Sequence, residues 1–153
     1  MKHLRKFNES LGEEQLKDFC EVNLAYLLDD PQFGIKVDSV CGTKDGEDYW
    51  VYKITLVTDS IHKGAWGSPG FNWKDIKDHY IPFLTHLNNK SKIIGYSKET
   101  NKFYDYQSIE IIYQVPHKKE KGYIPYFKIV DIKDLDNLDL DNIWKISVYI
   151  KDE

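Results

Sequence analysis

The sequence has little cysteine and no long apolar run. Of its 153 residues, 2 are Cys, 1 is Met and 5 are Pro. Cys20 and Cys41 form neither a CxxC pair nor the dense pattern of a disulfide-stapled domain, so we expect two buried thiols in a reducing cytoplasm. No stretch reaches the roughly 18 apolar residues of a membrane span, and none near the start marks a signal peptide. We therefore expect a cytoplasmic protein with no membrane association.

Strong charge of one sign is also lacking. The formal net charge is −4, lysines and acids are interspersed along the chain, and no basic block is longer than Lys118-Lys119. Binding to a phosphate backbone usually needs a basic stripe, so we expect no nucleic-acid partner.

Catalytic and metal-binding motifs are absent too. The stretch 67–70 is not a G-x-S-x-G elbow, and its surroundings match neither the P-loop nor the dinucleotide fingerprint. Asp75, His79 and His86 share a flank of a predicted helix, but the two histidines lie about two turns apart, too far to share one ion. The aspartates between 131 and 141 lack the order of a calcium loop. We expect no cofactor and no metal, and we lean against an enzyme.

The first half of the chain shows clear periodicity. Ser10 at N-cap and Glu13 at N3 form a capping box, which predicts a helix to about Asp29. Asn23 falls within the apolar face of this helix and needs hydrogen-bond partners there. A strand is predicted over 35–41, then an Asp45-Gly46 hairpin turn, then a strand over 49–58.

The second half predicts one helix followed by strands. Asn72 is the expected cap of a helix over 73–88, in which Pro82 should introduce a kink near Asp78. The apolar stripe of this helix is Trp73, Ile76, Tyr80, Phe83, Leu84 and Leu87. Segments at 93–96, 103–106, 108–115, 126–132 and 144–150 have extended character.

These elements predict a single α+β domain over 1–153, with 1–9 as a flexible leader. The expected sheet is antiparallel, of about six strands, with two helices on one face and the order α-β-β-α-β-β-β-β. Aromatics occur on both faces of the strands, for example Tyr49 beside Trp50 and Phe103 beside Tyr104. Either one sheet face stays uncovered as an interface, or the sheet curls strongly around its aromatic side chains.

The loop 61–73 is the strongest candidate site. Glycines let the backbone approach a ligand closely, large aromatics offer flat contact surfaces, and the next helix begins with free N–H groups. Structural plugging of the core by the same aromatics is the competing interpretation. The candidate binding residues are Lys63, Gly64, Trp66, Gly67, Ser68, Gly70 and Trp73.

The N-terminal sequence MKHLRKFNES resembles the short leader of many uncharacterised small proteins of large tailed bacteriophages. The helix WKDIKDHYIPFL at 73–84 is similar to a helix in such proteins. The resemblance implies a phage origin and either a virion component or a host-directed factor, located in the virion or the bacterial cytoplasm. It implies no catalytic residues.

Three functional hypotheses follow. The leading one is a non-enzymatic protein-interaction module that contacts a protein partner, or copies of itself, through an aromatic sheet face and the loop 61–73. The alternative is a protein that binds or sequesters a small, nucleotide-like molecule with the same loop and the following helix N-terminus. The third is an enzyme with a site assembled around Asp75 and His79, with Lys63 nearby.

Overall fold

The computed structural model describes residues 12–58, 70–116, 118–119 and 122–151. The predicted leader over 1–9, together with Ser10, lies outside these residues. The elements in chain order are helices α1 (Glu13–Asn23) and α2 (Ala25–Leu28), strands β1 (Phe33–Lys44) and β2 (Glu47–Thr58), helix α3 (Trp73–Lys90), strands β3 (Lys92–Ser97), β4 (Lys102–Tyr104), β5 (Ser108–Pro116) and β6 (Tyr123–Asp131), a 3₁₀ helix (Ile132–Asn137) and strand β7 (Ile143–Lys151).

The first helix begins at Glu13, and its N-cap residue is Gly12. The predicted capping box with Glu13 at N3 is therefore wrong. Gln15 occupies N3 instead, and its Oε1 accepts a hydrogen bond from the Gly12 amide at 3.3 Å. The Glu13 carboxylate accepts a hydrogen bond from the Ser39 amide at 3.1 Å, which ties the start of α1 to β1.

The predicted helix to Asp29 is interrupted at Leu24, which separates α1 from α2. The side-chain Nδ2 of Asn23 at this break donates to the Phe19 carbonyl at 2.8 Å, which confirms that this side chain finds a partner. Cys20 is fully buried, and burial raises the pKa of its thiol to about 12. Cys41 is only partly buried, so the expectation of two buried thiols is confirmed for Cys20 alone.

The hairpin between β1 and β2 forms where the sequence predicts it. Asp45 and Gly46 have φ values of 54° and 83°, both in the left-handed region that a type I′ turn requires. Lys44 pairs with Glu47 across the turn, and the register continues to Phe33 opposite Thr58. Both strands are 12 residues long, longer than predicted.

Helix α3 buries the predicted stripe completely, which confirms its helical period. Asn72 is the N-cap residue, as expected, but its side chain makes no capping hydrogen bond. Its Oδ1 instead accepts from the Asn142 amide at 3.4 Å, and this contact links the helix start to the chain entering β7. Pro82 is exposed within the helix, which continues to Lys90.

The α+β class is confirmed, but the predicted sheet is wrong in detail. The structure has a seven-stranded sheet in the order β2-β1-β4-β3-β7-β5-β6, and β2 also pairs with β7. This extra pairing closes β1, β2, β7, β3 and β4 into a five-strand barrel. The sheet is mixed, since β1 and β4 are parallel at the bridge between Thr43 and Lys102.

Closure of the sheet gives it two separate apolar clusters. The larger one joins all three helices to one sheet face, which is the outside of the barrel because five strands enclose too little space for a helix. The interior cluster consists of Val51, Ile94, Phe103 and Tyr149, with Val40, Tyr49 and Tyr96 packed against them. The aromatic inner face is thus explained by curling, the second of the two arrangements that the sequence allowed.

The β5–β6 hairpin extends past the barrel from β7. Within the described part of the chain β6 pairs only with β5, and we call its other edge, with which no described strand pairs, the open edge. Its exposed large apolar side chains are Tyr123, Ile124, Tyr126, Phe127 and Ile129. Exposed large apolar side chains are therefore concentrated on this hairpin, and on the barrel strand β2 Trp50 is also exposed.

Candidate functional site

Most of the predicted site lies outside the described residues. This applies to 59–69 and so to the candidate residues Lys63, Gly64, Trp66, Gly67 and Ser68. Their role in binding stays a prediction. Gly70 and Trp73, at the end of the loop, are described, and the structure gives each of them a packing role.

Trp73 lies in the core. Its side chain is 0% exposed, its ring contacts that of Tyr80 edge-on, and its indole N–H donates to the Leu135 carbonyl at 2.9 Å. A ligand would find no exposed face of this ring. Trp73 instead fixes the first turn of α3 against the 3₁₀ helix.

Gly70 lies where two segments of backbone meet. Phe71 and Ile143 form an isolated antiparallel bridge with hydrogen bonds of 3.0 and 2.8 Å. A Cβ at Gly70 would overlap the carbonyl oxygen of Ile143 and the backbone of Asn142. The glycine thus allows the end of the loop to lie against the start of β7.

The N-terminus of α3 is a poorer anion site than the sequence suggested. The Trp73 amide donates to the Leu140 carbonyl at 2.9 Å, and the Asp75 amide donates to the Asn72 carbonyl at 3.1 Å. The Asp75 carboxylate in the first turn already supplies the negative charge that the helix dipole favours.

A cavity of about 300 Å³ lies beside this helix start. The rings of Tyr26 and His79 stack at its wall, with centroids 4.3 Å apart and planes inclined by 22°. Asp75 also lines the cavity, and no ion pair joins it to His79. The cavity is lined by Tyr26, Leu27, Asp30, Gln32, Phe33, Gly70, Phe71, Asn72, Asp75, Ile76 and His79.

His86 belongs to a different concavity, the groove between α1 and α3. Among the described residues, no three His, Cys, Asp or Glu side chains are grouped so that they could hold a metal ion. In the acidic run, the Asp131 carboxylate accepts from the Lys133 amide at 3.0 Å and caps the 3₁₀ helix.

The structure also shows a polar cluster that the sequence analysis did not identify. Thr55 of β2, Ser147 of β7 and Glu110 of β5 are consecutive cross-strand neighbours on the inner face. All three are buried, and the Thr55 and Ser147 hydroxyl oxygens lie 3.3 Å apart. The Tyr149 hydroxyl donates to Glu110 Oε2 at 3.2 Å. We call these residues, together with Lys53, Lys98 and Lys145, the barrel-mouth cluster.

Burial dominates the electrostatics of this cluster. It raises the pKa of Glu110 above its ordinary value, and the positive charges of Lys98, Lys53 and Lys145 oppose this increase. Burial, followed by the charge of Lys98, lowers the pKa of Lys53. Burial and the Glu110 carboxylate raise the pKa of Tyr149. A carboxyl and an amine with opposite shifts are typical of functional sites.

The shift of Glu110 predicts a pH-dependent stability. Its folded pKa exceeds its ordinary value of 4.5, so its stabilising contribution is complete below pH 4.5 and is lost as the pH rises through the folded pKa. The Glu110→Gln variant lacks this loss. We expect the free energy of unfolding of the variant minus that of the wild type to increase with pH above 4.5, as measured by urea denaturation. A difference that stays constant with pH would contradict this assignment.

Comparison of the chain with known proteins adds nothing to these observations. Within the described residues, no helix is both long enough and apolar enough to cross a membrane. No family model, no curated protein and no solved structure matches the chain.

Proposed function

We propose that this chain is a non-enzymatic protein-interaction module that binds an extended segment of a partner protein along the open edge of β6. The observation that carries the proposal is a nine-residue edge strand with apolar side chains exposed on both of its faces. Exposed edges of this kind pair readily with another strand, and proteins normally blunt them with charge or proline.

The hydrogen-bond register shows which part of the edge is available. The Gln114 amide donates to the Asn142 carbonyl at 3.0 Å, so its backbone groups point toward β7 and away from β6. Its partner Pro125 therefore belongs to a non-hydrogen-bonded pair, and Pro125, Phe127 and Ile129 direct their backbone groups to the open edge. Pro125 has no N–H to offer, which leaves the Phe127–Ile129 half for strand pairing.

The charges beside this edge favour an acidic partner segment. The Lys98 ammonium lies 5.2 Å from the centre of the Phe127 ring. Lys128, between Phe127 and Ile129 in the strand, is exposed. Backbone pairing would supply affinity, and the alternating side chains would supply specificity. A virion component and an inhibitor of a host protein would both use this edge, and the loop 61–73 is proposed as a second contact.

The test begins with native mass spectrometry of the purified protein, which reports self-association and bound partners. Each partner is then measured against Ile129→Pro, which removes an outward N–H, and Ile129→Val, which retains it. We expect binding at least about fivefold weaker for the proline variant and unchanged for valine, since one lost hydrogen bond is worth about 1 kcal/mol. Slower hydrogen exchange at Phe127 and Ile129 in the complex locates the contact. Equal binding by both variants would exclude the edge.

A separate variant tests the proposed contact of the loop 61–73. Trp66→Ala is expected to abolish partner or ligand binding while the circular dichroism spectrum and the melting temperature stay at wild-type values. A folded Trp66→Ala protein with unchanged binding would remove the loop from the proposal.

The cavity beside α3 supports a second candidate, the binding of a small planar molecule. The stacked Tyr26 and His79 rings form an aromatic wall, and no described residue pairs with the nearby Asp75 carboxylate. This acidic, aromatic lining suits a planar group that donates hydrogen bonds, such as a nucleobase amine. A small mass retained in native mass spectrometry and lost in Tyr26→Ala would support this candidate.

A further inference from the structure

The barrel mouth lies at the point along β7 where its pairing partner changes from β3 to β5. On the same side of β7, Ile94 of β3 is opposite Tyr149, whereas Glu110 of β5 is opposite Ser147. The β3–β4 hairpin therefore diverges from β5 at this point. Its turn leans over the inner face, because Lys98 in the turn reaches the ring of Phe127 on β6. Glu110 thus lies on the inner face at the point where the β3–β4 and β5–β6 hairpins separate.

Three lysines surround this position. Lys53 is opposite Tyr149 and Lys145 is opposite Val57, so each lies two residues along its strand from the row of Thr55, Ser147 and Glu110, on the same face. All three lysines interact electrostatically with Glu110. None of them forms an ion pair with a carboxylate of the described residues, so their ammonium groups retain capacity for another anion.

The carboxylate at the centre has an unused oxygen. Glu110 is 5% exposed, and its Oε1 has no hydrogen-bond partner among the described residues. A buried acceptor without a donor costs free energy that the fold would recover if a ligand supplied the donor. The mouth thus combines three positive charges with a buried acceptor that receives no hydrogen bond from a described residue.

We propose that the barrel mouth binds an oxyanion that carries its own hydrogen-bond donor, with hydrogen phosphate as the simplest member of the class. Lys53, Lys98 and Lys145 neutralise the anion, and Glu110 Oε1 accepts the hydrogen bond from its protonated oxygen. The Thr55 and Ser147 hydroxyls are hydrogen-bonded to each other, so one of the two retains a proton that it can donate to another oxygen of the same ligand.

This arrangement predicts discrimination between two anions of similar shape. Phosphate keeps one proton near pH 8, whereas sulfate has none to offer a carboxylate. Sulfate at the same place would hold an unprotonated oxygen against an ionised Glu110, and this contact is repulsive. We expect phosphate to bind at least about tenfold more tightly than sulfate, since a site built to hydrogen-bond a substrate proton rejects the analogue that lacks it.

The experiment titrates the full-length protein at about pH 8 with sodium phosphate, sodium sulfate or sodium chloride at equal ionic strength. The melting temperature and the amide NMR shifts of Thr55, Glu110 and Ser147 are followed. Saturable shifts with phosphate alone support the proposal. Equal effects of phosphate and sulfate, or phosphate effects no larger than those of chloride, overturn it.

Variants separate the two parts of the site. Lys145→Met is expected to abolish phosphate binding. Lys74→Met removes the same charge from an exposed position on α3 and should bind as the wild type does. Glu110→Gln should bind sulfate and phosphate within about twofold of each other, because an amide can donate to either anion. If Glu110→Gln fails to fold, the two lysine variants still decide, and equal phosphate binding by both overturns the proposal.

Discussion

Replacing Trp73 with alanine is expected to reduce the free energy of unfolding by about 3–5 kcal/mol, the usual cost of truncating a fully buried tryptophan. The side chain is 0% exposed and joins α3 to the 3₁₀ helix, so its removal opens a cavity where these segments meet the barrel. Urea denaturation followed by circular dichroism measures the change.

A matched variant separates packing from hydrogen bonding. Trp73→Phe retains an aromatic ring but leaves the Leu135 carbonyl without the indole donor, and we expect a smaller loss of about 1–3 kcal/mol. If Trp73→Ala were as stable as the wild type and instead lost a binding activity, Trp73 would be a contact residue and not a core residue.

Substitution of Gly70 by alanine is expected to cause the second large loss of stability. The added methyl group would overlap the backbone of Ile143 and Asn142, which cannot rotate away as a side chain could. We expect a loss of about 1–3 kcal/mol, typical of overpacking at a tightly packed position, together with weakened protection from hydrogen exchange at the Phe71 and Ile143 amides.

Gly12→Ala is the control for this variant. A Cβ at Gly12 would meet no atom within 4 Å, so the expected cost is only that of alanine in place of glycine at an N-cap, less than about 1 kcal/mol. Equal stability of the two alanine variants would show that Gly70 does not set the approach of the loop to β7.

Local patterns predicted the elements well because their causes are local. The buried stripe of α3 follows from helical spacing alone, and the Asp45-Gly46 turn follows from the ease with which these residues adopt positive φ. The start of α1 was misplaced because Gln15 can close the first turn with the Gly12 amide, which replaces the expected Ser10–Glu13 box.

Only part of the candidate site could be predicted from the sequence. Gly70 and Trp73 attracted attention as a glycine and an aromatic in a loop, yet both have packing roles defined by residues around 135–143, far along the chain. Glu110, Lys53 and Lys145 gave no comparable signal. Each alternates with apolar neighbours in its strand, the pattern of an ordinary solvent-facing position.

The sequence by itself determined the α+β class, the apolar stripe of α3 and the first hairpin, because periodicity and turn chemistry act over a few residues. Only the tertiary structure decided that β2 pairs with β7, and this long-range pairing has no local signature. Closure placed Tyr49 and Phe103 inside a barrel and brought Glu110 beneath the lysines. The barrel mouth depends on that pairing, whereas the β6 edge depends on the pairing of β5 with β7 and β6.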